Sequence, residues 1–157
     1  TSIAAQKNIM IAADSQSSSQ VGNISRFKNV NLLTPTENEA RISTRNNEDG
    51  LVILAEELRV LSNTDNVLLK LGADGLLIHT YLSSQKIWET DQIKAMNYAA
   101  RDVSGAGDSL LVASAMALAC EANIWQAAFL GSMAAAIQVS RTGNVPIKVT
   151  ELKGLLG

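Results

Sequence analysis

The segment from Arg101 to Asp108 (Arg-Asp-Val-Ser-Gly-Ala-Gly-Asp) carries the strongest chemical pattern in the chain. Gly105 and Gly107 allow the backbone to turn tightly and to approach a ligand closely. An apolar stretch follows at once and predicts a helix, whose first amide groups and positive dipole end would face the turn. A helix start of this kind binds a phosphate or a developing oxyanion.

Asp108 ends this turn, and a carboxylate placed there can accept a proton from a hydroxyl beside a bound phosphate. A base and oxyanion donors on one turn are the minimum that phosphoryl transfer to an alcohol requires. From the residues alone, an equally good interpretation is a capped helix start in which Asp108 serves only the helix dipole.

Short apolar runs alternate with helical patterns, which indicates βαβ units and a mostly parallel sheet. The runs predict strands over residues 8–13, 30–33 and 66–70, and a hairpin over 76–79 and 86–89. Ligands of parallel sheets bind at the carboxyl ends of the strands. We therefore expect Asp14, Thr34, Lys70 and the turn at 104–108 to lie along one edge of the sheet.

Two helices are predicted to begin between the second and third strands. In the first, Thr34 can cap, Pro35 suits the first helical position and Glu37 lies three residues after the cap. The second is predicted to begin at Asn47 and to bury leucines at helical spacing.

The C-terminal third is predicted to be helical. The stretch from Leu110 to Cys120 is apolar all round, which predicts a central helix. Asn123 and Gln126 have the spacing of a capping box, and Thr150 can cap a last short helix.

Composition narrows the functional classes. The chain has 157 residues, with 46% hydrophobic and 18% charged residues, which fits one globular domain. The net charge of −2 gives no basic footprint, so nucleic acid is not an expected partner. Residues 122–140 are uncharged, but interspersed Asn, Gln and Ser favour a packed helix over a membrane span.

His79 is the only histidine, and it has no cysteine or second histidine with which to bind a metal, so we expect it to be structural.

Residues 102–109 resemble the C-terminal signature of PfkB/ribokinase-type carbohydrate kinases, D-T-T-G-A-G-D-x-F. Asp102, Gly105, Ala106, Gly107 and Asp108 match it, whereas Val103 replaces Thr and Leu110 replaces Phe. In that family the residue matching Asp108 deprotonates the sugar hydroxyl, and the turn matching Gly105 to Gly107 stabilises the transferring γ-phosphate. The resemblance implies a ribokinase-like three-layer α/β/α fold with a mostly parallel sheet, of which this chain is the C-terminal half.

Two further segments resemble the nucleotide site of the family. Residues 70–75 are similar to its strand-turn T-x-G-x-x-G, with Lys70 in place of a hydroxyl residue, and residues 134–143 are similar to the helix and turn near the adenine. As patterns alone, they are an ordinary hairpin with two glycines and a core helix. The resemblance implies that nucleotide is bound by Lys70, Gly72, Gly75, Ser104, Ala135 and Gly143.

Residues 34–40 resemble the family's T-P-N-x-x-E-A, whose Asn and Glu organise Mg²⁺, water and phosphate. Glu39 matches, which implies an indirect contact with the metal through water, and Thr36 replaces the Asn. The alternative is a capped helix with an exposed Glu39. Residues 14–16 and 23–34 are similar to the heptose-kinase branch, the kinase part of ADP-heptose-synthase-like proteins, although Gln16 replaces its Lys.

The resemblance implies a cytoplasmic enzyme that uses ATP and Mg²⁺ to phosphorylate a sugar or sugar phosphate. Kinases of the family are about twice as long, so we expect the N-terminal half and its lid, with most sugar contacts, to be missing here. The fragment alone should then be inactive, expose apolar surface and form a homo-oligomer. The alternative function is a non-catalytic module that binds nucleotide or a partner. Thr36 and Gln16 favour that alternative, and the intact turn from Gly105 to Asp108 favours the kinase.

Overall fold

A computed structural model describes residues 2–7, 9–15, 23–97 and 99–156. The chain divides into two compact units, the first formed by residues 1–71 and 77–92 and the second by residues 72–76 and 93–157. The predicted strand start at Asn8 and the position of Gln16 lie outside the described residues.

A five-stranded sheet forms the centre of the first unit, with the strands in the order β1-β2-β3-β4-β5. β1 pairs in parallel with β2, and β2 pairs in parallel with β3. β4 and β5 are joined by a four-residue turn at 83–86, so this hairpin is antiparallel. The strands are β1 (Ala12–Ala13), β2 (Leu32–Leu33), β3 (Asn66–Lys70), β4 (Leu76–Leu82) and β5 (Ile87–Ile93).

The predicted strands and hairpin are all present, but their lengths differ from the prediction. β1 and β2 are shorter, since only two residues of each form the parallel ladder. Residues before β1 still bond to the neighbouring segment, because the Ile11 carbonyl accepts from the Asn31 amide at 2.8 Å. The hairpin is longer than predicted, because β4 continues to Leu82 and β5 to Ile93, and most residues of β5 are exposed.

Three helices belong to the first unit: α1 (Ser2–Gln6), α2 (Glu37–Thr44) and α3 (Leu51–Ser62). The prediction that Thr34 caps α2 is wrong, since Thr36 is the N-cap and Thr34 is completely buried. A parallel bridge between Thr36 and Lys70 keeps the chain extended as far as Thr36, which delays the helix. The amide of Lys70 also donates to the Pro35 carbonyl at 2.7 Å.

The predicted start of α3 at Asn47 is also wrong, since the helix begins at Leu51 with Gly50 as its N-cap. The preceding residues form a turn instead, because the side-chain oxygen of Asn46 accepts from the amides of Glu48 and Asp49 at 3.2 and 3.1 Å. A side chain that binds nearby amides in this way competes with helix formation.

The apolar core of the first unit lies between the sheet and the helices α2 and α3. Its central side chains are fully buried and include Leu33, Leu54, Leu58, Val67 and Leu69. This core fixes the carboxyl ends of β1, β2 and β3, where polar residues follow each strand.

The second unit contains α4 (Ala106–Ala119), α5 (Ile124–Val139) and α6 (Val149–Leu156). α4 and α5 pack closely, because Ser114 donates from its hydroxyl to the Ala127 carbonyl at 3.0 Å and Gly131 leaves no room for a Cβ beside Ser114. Leu110 and Ser114 are the buried residues of α4, whereas Val112 and Met116 are 55% and 64% exposed. The prediction of a central helix covered on all sides is therefore wrong within this unit, where α5 covers one face.

The starts of α5 and α6 follow local side-chain contacts. The predicted capping box of Asn123 and Gln126 is present, with hydrogen bonds of 2.9 and 3.1 Å. Thr150 does not cap α6, which begins one residue earlier, and the carboxylate of Glu151 accepts from the Lys148 amide at 2.7 Å. Within the described part of the chain, no helix has both the length and the apolar character needed to cross a bilayer.

Candidate functional site

The turn before α4 has the geometry of an anion site. Gly105 is the N-cap with φ 76°, and the helix begins at Ala106. The amides of Gly105, Gly107 and Asp108 have no hydrogen-bond partner among the described residues. Asp108 lies in the first turn of the helix with its side chain exposed to solvent. Unpaired amides at a positive helix end, with an accessible carboxylate beside them, can bind an anion and accept a proton.

Two features favour glycine at position 105. Its positive φ favours glycine over residues with a side chain. A Cβ at this position would also lie 2.6 Å from the side-chain oxygen of Asn144. The turn therefore packs directly against the loop that follows α5.

Asp102 and Gln138 fasten this turn to the loop after α5. One carboxylate oxygen of Asp102 accepts from the Ser104 amide and the other accepts from the Gly143 amide, each at 2.9 Å. The side-chain amide nitrogen of Gln138 donates to the carbonyls of Ser104 and Gly143 at 3.1 and 2.8 Å. Hydrogen bonds from Ser104 and Gly143 hold the pKa of Asp102 below its ordinary value.

The remaining predicted nucleotide residues of the second unit have separate environments. Gly75 has φ 96°, and a Cβ there would collide with the backbone of residues 93–95, so close packing explains this glycine. Gly72 and Gly143 also have positive φ, but open space lies beside each. Ala135 is half-buried on α5. The structure thus brings Ser104 and Gly143 together, and Gly75 is held against residues 93–95.

In the first unit, Asp14 and Lys70 meet at the carboxyl ends of β1 and β3. Their side chains form an ion pair of 2.7 Å and are only 14% and 17% exposed. Burial raises the pKa of Asp14, Lys70 partly offsets this, and the carboxylate of Glu39 adds to the increase. The parallel register of β1, β2 and β3 confirms that Asp14, Thr34 and Lys70 lie at one edge of the sheet, as predicted. The turn at 104–108, predicted for the same edge, belongs to the second unit, and its place at that edge stays a prediction.

Glu39 is held by the N-terminus of α2. One oxygen of its carboxylate accepts from the Thr36 amide at 2.7 Å and from the Thr36 hydroxyl at 2.9 Å. The Glu39 amide donates back to the Thr36 hydroxyl at 3.2 Å, which completes a capping box. Glu39 is 3% exposed, so the alternative of an exposed Glu39 is wrong.

No direct metal centre is formed by the described residues, because they contain no group of three or more His, Cys, Asp or Glu side chains that could hold an ion. Glu39 already binds the helix start through Thr36.

Sequence reasoning missed Gln138. Gln138 occurs in an otherwise apolar part of α5, and a polar residue in such a stretch indicates a buried side chain that needs a hydrogen-bond partner. Its partner Ser104 lies 34 positions earlier in the sequence, and its partner Gly143 lies in the loop after α5, so no helical spacing connects Gln138 with either residue.

The comparisons with known proteins identify the family of the chain. Residues 1–149 match the family model of the pfkB family carbohydrate kinases. The chain is 28% identical over 134 residues to the bifunctional protein HldE of Blochmanniella pennsylvanica (strain BPEN), covering 84% of this chain and 27% of that protein. The chain therefore spans about a quarter of the length of the curated relatives that it matches.

Solved structures give the same fold. The ribokinase of Thermotoga maritima superposes with a TM-score of 0.78 and 27% identity, over 98% of this chain and 51% of that one. A ribokinase of Arabidopsis thaliana complexed with ribose and ATP superposes with a TM-score of 0.77 and 18% identity, over 96% of this chain and 48% of that one. The predicted ribokinase-like α/β fold class is confirmed, and the chain spans about half the length of these structures.

Proposed function

Because the chain belongs to the pfkB family of carbohydrate kinases, we propose that its protein transfers the γ-phosphate of ATP to a hydroxyl of a sugar or sugar phosphate. One observation carries this proposal: an exposed Asp108 shares one helix turn with the amides of Gly105 and Gly107, which have no hydrogen-bond partner among the described residues. That turn combines the base and the oxyanion donors that phosphoryl transfer needs.

In this mechanism the hydroxyl oxygen attacks the γ-phosphorus of ATP. The new P–O bond forms while the bond from the γ-phosphorus to the bridging oxygen breaks, and ADP leaves. Asp108 accepts the hydroxyl proton. The amides of the turn from Gly105 to Gly107, with Ala106 at the helix start, stabilise the negative charge on the phosphoryl oxygens.

Mg²⁺ would neutralise phosphate charge when it binds with ATP. Glu39 is proposed to contact the ion indirectly, through water. Lys70 is proposed as a nucleotide residue of the first unit, where its ammonium group is already placed by Asp14. Ser104, Gly72, Gly75, Ala135 and Gly143 remain proposed nucleotide contacts.

The proposed activity belongs to the whole protein, since the chain spans about half of the superposed ribokinase. Sugar contacts, a homo-oligomeric state and a cytoplasmic location belong to the same proposal. The Arabidopsis ribokinase structure with ribose and ATP supports ATP and a sugar as the two ligands.

A second candidate is a module that binds nucleotide without catalysis. It is favoured by Thr36, whose hydroxyl is used by the capping box, and by Lys70, whose ammonium group is paired with Asp14. The Thr36 hydroxyl would need to release Glu39 before it could donate to a phosphate, whereas the charge of Lys70 is partly balanced by Asp14.

Two measurements separate these candidates. Calorimetric titration of the chain with MgATP should give weak but detectable binding, and the absence of heat at millimolar nucleotide with a folded sample would contradict it. A phosphotransfer assay of the full-length gene product against a panel of sugars and sugar phosphates should show turnover. Nucleotide binding without turnover on any member of the panel would favour the module.

A further inference from the structure

We propose that Gln138 is a positioning residue for the anion-binding turn, setting the direction of the amides of Gly105 and Gly107 by holding the Ser104 carbonyl. This inference rests on the proposed kinase function and adds to it a residue that contacts neither substrate. Gln138 acts through the turn and through the loop at Gly143 together.

The geometry assigns Gln138 this role. Four hydrogen bonds form a clamp between Asp102, Gln138 and the backbone of Ser104 and Gly143. The amides of Ser104 and Gly143 donate to Asp102, and their carbonyls accept from Gln138. Because Ser104 directly precedes Gly105, fixing both sides of Ser104 fixes the peptide plane from which the anion-binding turn starts. Asn144, the residue after Gly143, is the one that Gly105 packs against.

The two carbonyls also fix the orientation of the Gln138 amide. A carbonyl oxygen accepts only, so the group that faces both Ser104 and Gly143 must be the nitrogen. The other end of the amide, Oε1, is buried and has no hydrogen-bond partner among the described residues. Gln138 as a whole is 1% exposed.

An unpaired buried acceptor lowers stability, because it loses water and gains nothing in return. An apolar side chain of similar length, such as methionine, would fill the same space without this cost. A glutamine at this position is therefore explained by its two donated hydrogen bonds, and their target is the turn.

Gln138→Met removes these donors and keeps the volume. In the full-length protein we expect kcat to fall by about 10- to 100-fold, since a small displacement of oxyanion donors has effects of this order. The KM for the sugar should change by less than about threefold, because the interaction that is lost acts mainly in the transition state. Ser114→Ala is the control, since it removes a buried hydrogen bond between α4 and α5 without touching the turn. It should leave kcat near the wild-type value.

Gln138→Glu adds a readout that a purely structural role would not move. An ionised carboxylate cannot donate, whereas the protonated acid can donate to one of the two carbonyls. Burial and the facing carbonyls should raise the pKa of the new carboxyl group. The ratio of variant to wild-type kcat should therefore rise as the pH falls from 8 to 6.

A readout without turnover separates this proposal from the kinase function. In the chain itself, NMR resonances of the Gly105 and Gly107 amides should respond to added inorganic phosphate, and Gln138→Met should weaken that response at least about fivefold, as expected for misdirected anion donors. A wild-type protein without kinase activity would overturn the proposed function alone. Unchanged phosphate response in Gln138→Met, or a kcat loss matched by Ser114→Ala, would overturn the positioning role.

Discussion

Lys70 and Asp14 form a 2.7 Å ion pair that joins the ends of β3 and β1 across the intervening strand β2. Both side chains are mostly buried, and the carboxylate of Glu39 lies close enough to Asp14 to raise its pKa. The pair therefore holds one ammonium group among two carboxylates at the edge where parallel sheets bind ligands.

Lys70→Met should lower the free energy of unfolding by on the order of 3 kcal/mol, because it leaves the Asp14 carboxylate buried without its partner. The double variant Lys70→Met/Asp14→Asn should recover most of this loss, since no unpaired charge remains. Urea unfolding at pH 7.5 measures both. Lys153→Met, at an exposed position of α6, is the matched control and should change stability by less than about 0.5 kcal/mol. A single variant as stable as the control would show that the pair does not support the fold.

The same double variant tests whether Lys70 also binds nucleotide. If the ammonium group contacts a phosphate, the double variant should be stable yet bind MgATP more weakly than the wild-type protein. Calorimetric titration compares the two. Equal affinities would assign Lys70 a structural role alone.

His79 should make stability depend on pH. It is completely buried between the hydroxyl of Thr90 at 2.7 Å and the carboxylate of Glu56 at 2.8 Å, and burial lowers its pKa. The folded state therefore binds fewer protons than the unfolded state as the pH falls below the unfolded pKa of about 6.5. The stability that neutral His79 provides above that pH should be lost on acidification, with a slope of up to about 1.4 kcal/mol per pH unit.

Unfolding experiments on the wild-type protein and His79→Gln between pH 7.5 and 5.5 measure this effect. His79 is the only histidine, so the difference between the two slopes isolates its titration. Glu56 should not add to the slope between pH 7.5 and 5.5, because its hydrogen bonds with Arg59 lower its pKa, which moves it further below this pH range. Any slope from the raised pKa of Asp14 has the opposite sign and is common to both proteins. Identical slopes would contradict the prediction.

Gly105→Ala should weaken phosphate binding and turnover, because the left-handed backbone disfavours alanine and the new Cβ would meet Asn144. Gly105→Ala/Asn144→Ala removes the collision and keeps the backbone strain, so a partial recovery would separate the two causes. Gly154→Ala is the control, since that glycine lies in α6 with open space beside it. NMR titration with inorganic phosphate and thermal unfolding measure binding and stability. A phosphate response equal to that of Gly154→Ala would show that the turn does not depend on glycine at 105.

The chain should self-associate through the exposed apolar face of α4. Val112 and Met116 are one helical turn apart, and both are more than half exposed. Sedimentation should show a concentration-dependent oligomer that Met116→Lys weakens. Ile87→Lys, the same kind of change on the edge strand β5, serves as the control. A strict monomer at high concentration, or equal loss in both variants, would contradict a role for α4.

Local patterns allowed part of this structure to be predicted. The capping box of Asn123 and Gln126 could be read from the sequence because both partners lie within one helical turn. Thr36 was missed as the cap of α2 because its extended conformation depends on Lys70, far along the chain. The glycine turn at the start of α4 could be predicted because its glycines, helix start and carboxylate are contiguous. Its clamp was not, since Gln138 and Ser104 are separated by 34 positions.

The apolar face of α4 shows a different limit. Its composition indicated a helix that is covered all round, but Val112 and Met116 on one face are more than half exposed. The apolar composition of a helix shows which of its faces can be buried. It does not identify the element that packs against each face.

The most direct test of the account is the kcat of Asp108→Asn in the full-length protein. Asparagine keeps the size of the side chain and the helix start but loses the basicity, so kcat should fall by about 10²- to 10⁴-fold, the usual contribution of a positioned base. The dissociation constant for MgATP should change by less than about threefold, because the proton transfer occurs in the transition state. Asp91→Asn on the exposed strand β5 is the matched control. An Asp108→Asn variant that turns over at nearly the wild-type rate would show that Asp108 is not the base, and the central assignment would be wrong.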